Sequence, residues 1–273
     1  MKWMLAFAAL AVAAVSCGQK KAEEPQKKVL VLYYSQTSNT KTVAQEIANK
    51  LGADIEEIVP VQAYDGDFQA TIARCNEERE KGIIPEVKPI AANLADYDTI
   101  FIGYPVWFGT MAPPMGAFLS QADLAGKKIV PFCTFGSGGL NTSTADLKKA
   151  LPKANIVAGY GVRTARVAAA AKELDRFLKE NGYKKGKVEK LPEYSAQQPV
   201  TDEERAIFDT ACSSYQFPLG TPQTVGKRTT ADSTDYKFTV KSRGMDGKEA
   251  TSIIYVTVEN AKGAKPEFTE VVR

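Results

Sequence analysis

The sequence predicts an α/β domain with a parallel sheet covered by helices on both faces, followed by a small α+β unit. Three observations point to it. Five short apolar runs recur through the first two thirds of the chain, and most are continuous rather than alternating, as in strands buried on both faces. Amphipathic helical patterns lie between them. Beyond residue 200 the pattern changes to alternating strands of the kind found in antiparallel sheets.

The strands are expected at Val29–Tyr34, Ala53–Val59, Thr99–Tyr104, Lys128–Thr134 and Asn155–Tyr160. Val43, Ala44, Ile47 and Leu51 share one face of a first helix, which Gly52 stops. Phe68, Ile72 and Cys75 mark the inner face of a second. Pro113 and Pro114 open a third, carrying Met115, Phe118 and Leu119. Ser143 with Asp146 resembles a capping box for a fourth, which bears Leu147 and Leu151. Ala168–Asn181 makes a fifth, with Leu174, Phe177 and Leu178 turned inward and Gly182 after it.

Residues 184–200 read as a linker. In the unit over 201–273, Thr201 caps a helix to Ser213 that buries Ile207 and Phe208. Strands follow at Asp235–Ser242, Thr251–Glu259 and Glu267–Val272, with a hairpin turn at 244–247.

The N-terminus carries a different signal. Lys2 is followed by a charge-free run from Trp3 to Ser16, too short to span a bilayer comfortably. It reads as a signal peptide. Ala14-Val15-Ser16-Cys17 resembles the bacterial lipobox, which implies lipidation of Cys17 and a cell-envelope location. The alternative is an ordinary secretory signal with a nearby cysteine. On the lipobox reading, residues 1–17 are the signal peptide and lipidated cysteine. Residues 18–28, rich in Lys, Glu and Gln, form a solvated tether, and the α/β domain runs from 29 to 183.

Composition removes several functions. The net charge of +3 and the lack of a basic, aromatic-interleaved run argue against nucleic acid. The chain contains no histidine, so His-based triads, histidine general bases and His-bearing zinc sites are out. The four cysteines form no CxxC pair, which argues against a thiolate metal site. Besides Cys17, Cys75, Cys133 and Cys212 permit either one disulfide and one free thiol or three free thiols. Cys75 and Cys133 sit in patterns that bury them.

The informative stretch follows the first strand. Ser35-Gln36-Thr37-Ser38-Asn39-Thr40 places four hydroxyls and two amides in a row at the start of a helix. In an open parallel sheet, ligands bind beyond the carboxyl ends of the strands. Free N–H groups at a helix N-terminus favour an anion there, and the hydroxyls add donors. The loop therefore suits a phosphate. A helix cap alone needs one or two such residues. No GxxxxGK[ST] motif is present and no GxGxxG follows the first strand, which removes the common nucleotide and dinucleotide sites. Two further loops belong beside it: "GYPVWFGTMAPPMGAF" after the third strand and "TFGSGGLNTS" after the fourth. Neither Tyr104–Pro114 nor Phe135–Thr144 contains Asp or Glu.

These three loops together make residues 29–182 resemble the flavodoxin family. Its phosphate loop reads approximately S/T-x-T-G-x-T, and this chain departs from it at Ser38, where glycine is usual. The resemblance implies a doubly wound five-stranded sheet in the order 2-1-3-4-5 and noncovalent FMN. Ser35, Gln36, Thr37, Ser38, Asn39 and Thr40 would form the phosphate loop. Tyr104, Pro105, Val106 and Trp107 would line the isoalloxazine, with Trp107 stacked on its face, and Phe135, Gly136, Ser137 and Gly138 would edge it. Three functions follow: an envelope electron carrier meeting an unidentified redox partner, an FMN-dependent NAD(P)H quinone or nitro-compound reductase, and a binding lipoprotein that has lost FMN. The missing carboxylates near the ring imply a reduced flavin less destabilised by charge.

Overall fold

The computed structural model describes residues 28–273 except 66, 189 and 244–247. The predicted signal peptide and lipobox, with Cys17, and nearly all of the predicted tether lie outside the described residues, as does the predicted hairpin turn at 244–247.

The parallel sheet forms as expected. β1 (Val29–Tyr33) lies between β2 (Asp54–Glu57) and β3 (Thr99–Trp107), and β3 pairs on its other side with β5 (Lys128–Phe135). The short β4 (Thr110–Met111) folds back antiparallel on the end of β3. The last position is shared by β6 (Asn155–Ile156) and β7 (Tyr160–Arg163), both parallel to β5. The sheet is thus doubly wound in the flavodoxin order.

The single fifth strand predicted over Asn155–Tyr160 is a correction. Ile129 pairs with Ile156 and Phe132 with Tyr160, so the ladder breaks opposite Pro131, which has no N–H to donate. The strand resumes and runs on to Arg163.

Alternation along β1 shows why both faces had to be covered. Leu30, Leu32 and Tyr34 enter one core with Met115, Phe118 and Leu147; Val31 and Tyr33 enter the other with Val43, Ile47, Leu174 and Leu178. The helices are α1 (Asn39–Leu51), α2 (Phe68–Lys81), α3 (Pro113–Leu119), α4 (Leu140–Ala150) and α5 (Ala170–Glu180). Gly52 ends α1 at φ 61°, a left-handed cap that glycine adopts without strain.

Two helix expectations are corrected. Ser143 does not cap α4. The helix begins a turn earlier at Leu140, and Ser143 is buried inside it, donating to the Gly139 carbonyl at 2.7 Å. Phe68 does not face the core: the buried side of α2 is Thr71, Cys75 and Glu78, while Phe68 is 71% exposed.

The C-terminal unit packs α6 (Asp202–Cys212) on a five-stranded antiparallel sheet. Its order is β12 (Glu267–Val272), β11 (Glu249–Glu259), β10 (Ser233–Arg243), β9 (Thr221–Thr229) and β8 (Gln198–Pro199). Thr201 caps α6 in a full capping box with Glu204. Phe208, Phe238, Ile254 and Phe268 form its separate core. β9 went unpredicted, and the expected linker is partly structured. Its end forms β8, and Ser195 donates its N–H to the Lys227 carbonyl at 2.8 Å. The cysteines Cys75, Cys133 and Cys212 are free thiols.

Gly103 in the central strand faces the Phe132 ring, and a Cβ there would stand 2.0 Å from the Phe132 Cζ. Neither strand can shift without breaking the ladder. Gly103→Ala is expected to lose about 2–3 kcal/mol of stability in urea unfolding, the upper range for overpacking a core.

Candidate functional site

At the carboxyl end of β1 the chain turns into α1 through Ser38, which takes φ 65° and ψ −4°. This is the left-handed conformation that glycine supplies at least cost. The serine thus adopts the turn, and the backbone carries a strain of about 1 kcal/mol. The turn aims the first N–H groups of α1 into the loop. These have no intrahelical acceptor, and no side chain caps the helix.

The loop's side chains divide by task. Asn39 donates to the Thr37 hydroxyl at 2.9 Å, occupying a lone pair and leaving the Thr37 O–H free to donate outward. The Ser35 hydroxyl is shielded from solvent and has no hydrogen-bond partner. A buried orphan of this kind costs about 1–3 kcal/mol, and an anion in the loop would satisfy it. Gln36 is a brace: its amide donates to the Tyr64 carbonyl at 2.8 Å and to the Thr71 hydroxyl at 2.7 Å. Thr40 is turned into the core, its hydroxyl 2.8 Å from that of Thr134 on β5, so only its backbone faces the loop. Lys41 lies 3.9 Å from Glu57, and the loop itself holds neutral donors alone.

The second loop is set by the end of β3. Trp107 meets Tyr34 and Tyr64 edge-on, at centroid distances of 5.8 and 5.4 Å. Tyr64 is anchored in turn by its hydroxyl on Glu78 at 2.6 Å and by Arg74, whose guanidinium stands 3.7 Å above the ring. Val106 packs on the third loop, where a Cβ on Gly139 would come within 2.7 Å of its Cγ1. Phe108, at φ 51°, is 54% exposed. Pro105 accepts the Ala112 N–H at 3.1 Å and closes the loop's base.

Two expected ring residues are elsewhere. Tyr104 is wholly buried and donates to Ser143 at 3.2 Å, because position 104 still belongs to the covered part of β3. Phe135 is also buried, its ring against Gly161. Trp107, Val106, Gly136, Ser137 and Gly138 do converge, and with Gln36 they line an open cavity of about 770 Å³.

A family model described as Flavodoxin matches residues 28–180, more than half of the chain. The chain belongs to the flavodoxin family. Among solved structures it is similar to a protein described as a flavoprotein from Bacteroides eggerthii DSM 20697. The identity is 29%, over 55% of this chain and 99% of that one, with a TM-score of 0.47. A counterpart from Bacteroides uniformis ATCC 8492 shares 27% identity over 55% and 98% of the two chains, with a TM-score of 0.49. A flavoprotein from Lactobacillus acidophilus NCFM, solved in complex with FMN, shares 24% over 54% and 99%, with a TM-score of 0.45.

The flavodoxin domain of this chain does not present its third loop freely, because the C-terminal unit is clamped onto it. Arg163, at the end of β7, donates to the Gly136 carbonyl at 2.7 Å and to the Phe268 carbonyl at 2.8 Å. The Val271 N–H donates to the Ser137 carbonyl at 2.7 Å. Gly138 is required here, since a Cβ would stand 2.3 Å from the Val271 carbonyl oxygen. Arg166 adds an ion pair to Glu267 at 2.9 Å.

Docking also delivers a charge that inspection of the ring loops misses. The Glu270 Cγ lies 3.5 Å from where a Gly138 Cβ would stand, and no ion pair neutralises Glu270 among the described residues. The two loop stretches themselves hold no Asp or Glu, and the carboxyl beside the third loop comes from the C-terminal unit. Burial pushes the Glu270 carboxyl up. A folded value above the unfolded one means that the fold tolerates the acid and disfavours the carboxylate. Stability is then full below the ordinary carboxylate range, near pH 4, and falls as pH rises through the folded value. Glu270→Gln is expected to be more stable than the parent in urea at pH 7, with the difference closing near pH 4.

Proposed function

We propose that this flavodoxin-family protein binds FMN noncovalently and carries electrons in the bacterial cell envelope, held to a membrane by a lipid on Cys17. FMN is the cofactor the family membership points to. The observation that carries the reading is the phosphate loop: a left-handed turn opening α1, an uncapped first turn of N–H groups and the orphaned Ser35 hydroxyl.

The residues present fit the group. Ser35 and Thr37 would donate hydroxyls to the phosphate, and the backbone at Ser38, Asn39 and Thr40 would donate N–H groups. Trp107 and Phe108 offer aromatic surface for the ring, and Gly136, Ser137 and Gly138 would run along its edge. The bound flavin accepts one or two electrons, while the protein fixes its position and surroundings. A second reading, an FMN-dependent reductase of small molecules, is favoured by the C-terminal unit, which covers the third loop where a large redox partner would otherwise dock.

Purified protein is expected to be yellow and to release FMN on denaturation. Ser35→Ala separates cofactor grip from folding. It is expected to leave the stability of the cofactor-free protein unchanged or slightly raised, since an unsatisfied buried hydroxyl is removed. FMN affinity in fluorescence titration should fall about tenfold, the worth of one charge-assisted hydrogen bond.

For the envelope location, the support is the N-terminal pattern alone. Among the described residues no helix is long and apolar enough to cross a membrane. In cells fed labelled palmitate, the parent chain should take up label and sediment with membranes. Cys17→Ala should do neither.

A further inference from the structure

We infer that Glu78 on α2 is a positioning residue for Trp107: by holding Tyr64, its carboxylate sets the orientation in which the indole meets a flavin ring. The inference rests on the FMN reading for what the indole faces.

Glu78 lies on the inner side of α2 and is 7% exposed. A charged side chain is almost never buried unless it is paired. Both of its oxygens are engaged: Oε2 accepts the Tyr64 hydroxyl at 2.6 Å, and Oε1 accepts the Arg74 Nε–H at 2.8 Å. An Arg–Glu pair one turn apart is common on a helix surface. On a buried face it is weak evidence for stability, since apolar residues of similar volume often do as well or better. What a satisfied buried network supplies is a single geometry, because its members are all paired in one arrangement only.

That geometry is imposed on a stretch with no ladder of its own. Residues 62–64 belong to no helix or strand. Arg74 holds their backbone by donating to the Gln62 and Ala63 carbonyls at 3.1 and 2.7 Å, and its guanidinium stands 3.7 Å over the Tyr64 ring. The Tyr64 carbonyl accepts the Gln36 amide at 2.8 Å. Tyr64 is therefore gripped by its face, its backbone and its hydroxyl. Burial first, and the hydrogen bond to Glu78 second, push that hydroxyl up, which keeps it a donor.

Tyr64 passes this constraint to Trp107. Their rings meet at a centroid distance of 5.4 Å and an interplanar angle of 60°, an edge-on arrangement of the kind aromatic pairs prefer. Tyr34 makes the other edge-on contact to the indole, at 5.8 Å and 86°. Of these two supports, Tyr34 is fixed by the core that it enters at the end of β1. Tyr64 is fixed by Glu78 and Arg74. Trp107 lines the cavity of about 770 Å³, whereas Tyr64, Arg74 and Glu78 do not. The path from the carboxylate to a ligand there runs through Tyr64 and the indole.

The test is a double-mutant cycle on FMN affinity, measured by fluorescence titration of the cofactor-free full chain. Glu78→Gln keeps the volume and removes the charge. Tyr64→Phe keeps the ring and removes only the hydroxyl. Each is expected to weaken FMN binding about three- to tenfold, the worth of one oriented aromatic contact. In a Trp107→Leu background neither should weaken it further, because the residue they act through is gone. Near-ultraviolet circular dichroism of the cofactor-free chain gives a second readout. The Trp107 signal, taken as parent minus Trp107→Leu, should diminish in both variants while the far-ultraviolet spectrum stays the same. Unchanged affinity in Tyr64→Phe, or a loss that persists in full without Trp107, overturns the inference and leaves the FMN reading standing. If the parent binds no FMN, the cofactor reading fails and the dichroism decides: a Trp107 signal lost in Tyr64→Phe supports the positioning role, and one retained overturns it. Should Glu78→Gln fail to fold, Tyr64→Phe carries the same cycle alone.

Discussion

The site depends on how β1 becomes α1. Ser38 must take a left-handed conformation for the chain to turn sharply enough that the first N–H groups of the helix face back into the loop. Neighbouring contacts hold this geometry. Gln36 ties the loop to the segment before α2, Asn39 orients the Thr37 hydroxyl, and Thr42 returns both its N–H and its hydroxyl to the Ser38 carbonyl at 2.9 and 3.0 Å. Thr40 pins the first turn of α1 to β5 from beneath. The result is a concave set of neutral donors on a rigid base, the arrangement by which an anion is held without a paired cation.

The third loop, by contrast, is shaped by the second unit. An isolated parallel-sheet domain would leave the third loop open to solvent. Here its two carbonyls are occupied, one by a guanidinium and one by the edge of β12. Glu270 and the aromatic residues of the C-terminal unit then become neighbours of the ring loops. Glu270 thus brings beside Gly138 a carboxyl group that the parallel-sheet domain alone does not contain.

What could be read in the sequence follows from which forces are local. β1, β3 and β5 are continuous apolar runs because both their faces are covered, and their register follows. The polar loop after β1 stands out in the sequence because its residue types crowd into six positions. The start of α4 was not, since Gly139 turns the chain there without a polar cap while Ser143 has the residue type of one. The split between β6 and β7 depends on a proline in the neighbouring strand. β9 buries only Pro222, Val225 and Gly226 in nine residues, so its periodicity is weak. The motifs place Tyr104 and Phe135 beside the ring, but each still lies within the covered part of its strand. Arg163, Glu270 and Phe217 reach the site through contacts between parts of the chain more than a hundred residues apart, which no local pattern encodes.

The central claim is that the Ser35–Thr40 loop grips a phosphate. It is tested most directly by titrating the cofactor-free protein with FMN and, separately, with riboflavin, which has the same ring and no phosphate. The account predicts that FMN binds at least about a hundredfold more tightly, as two charge-assisted hydrogen bonds would give. Equal affinity for the two, or no binding of FMN at micromolar concentrations, would contradict it.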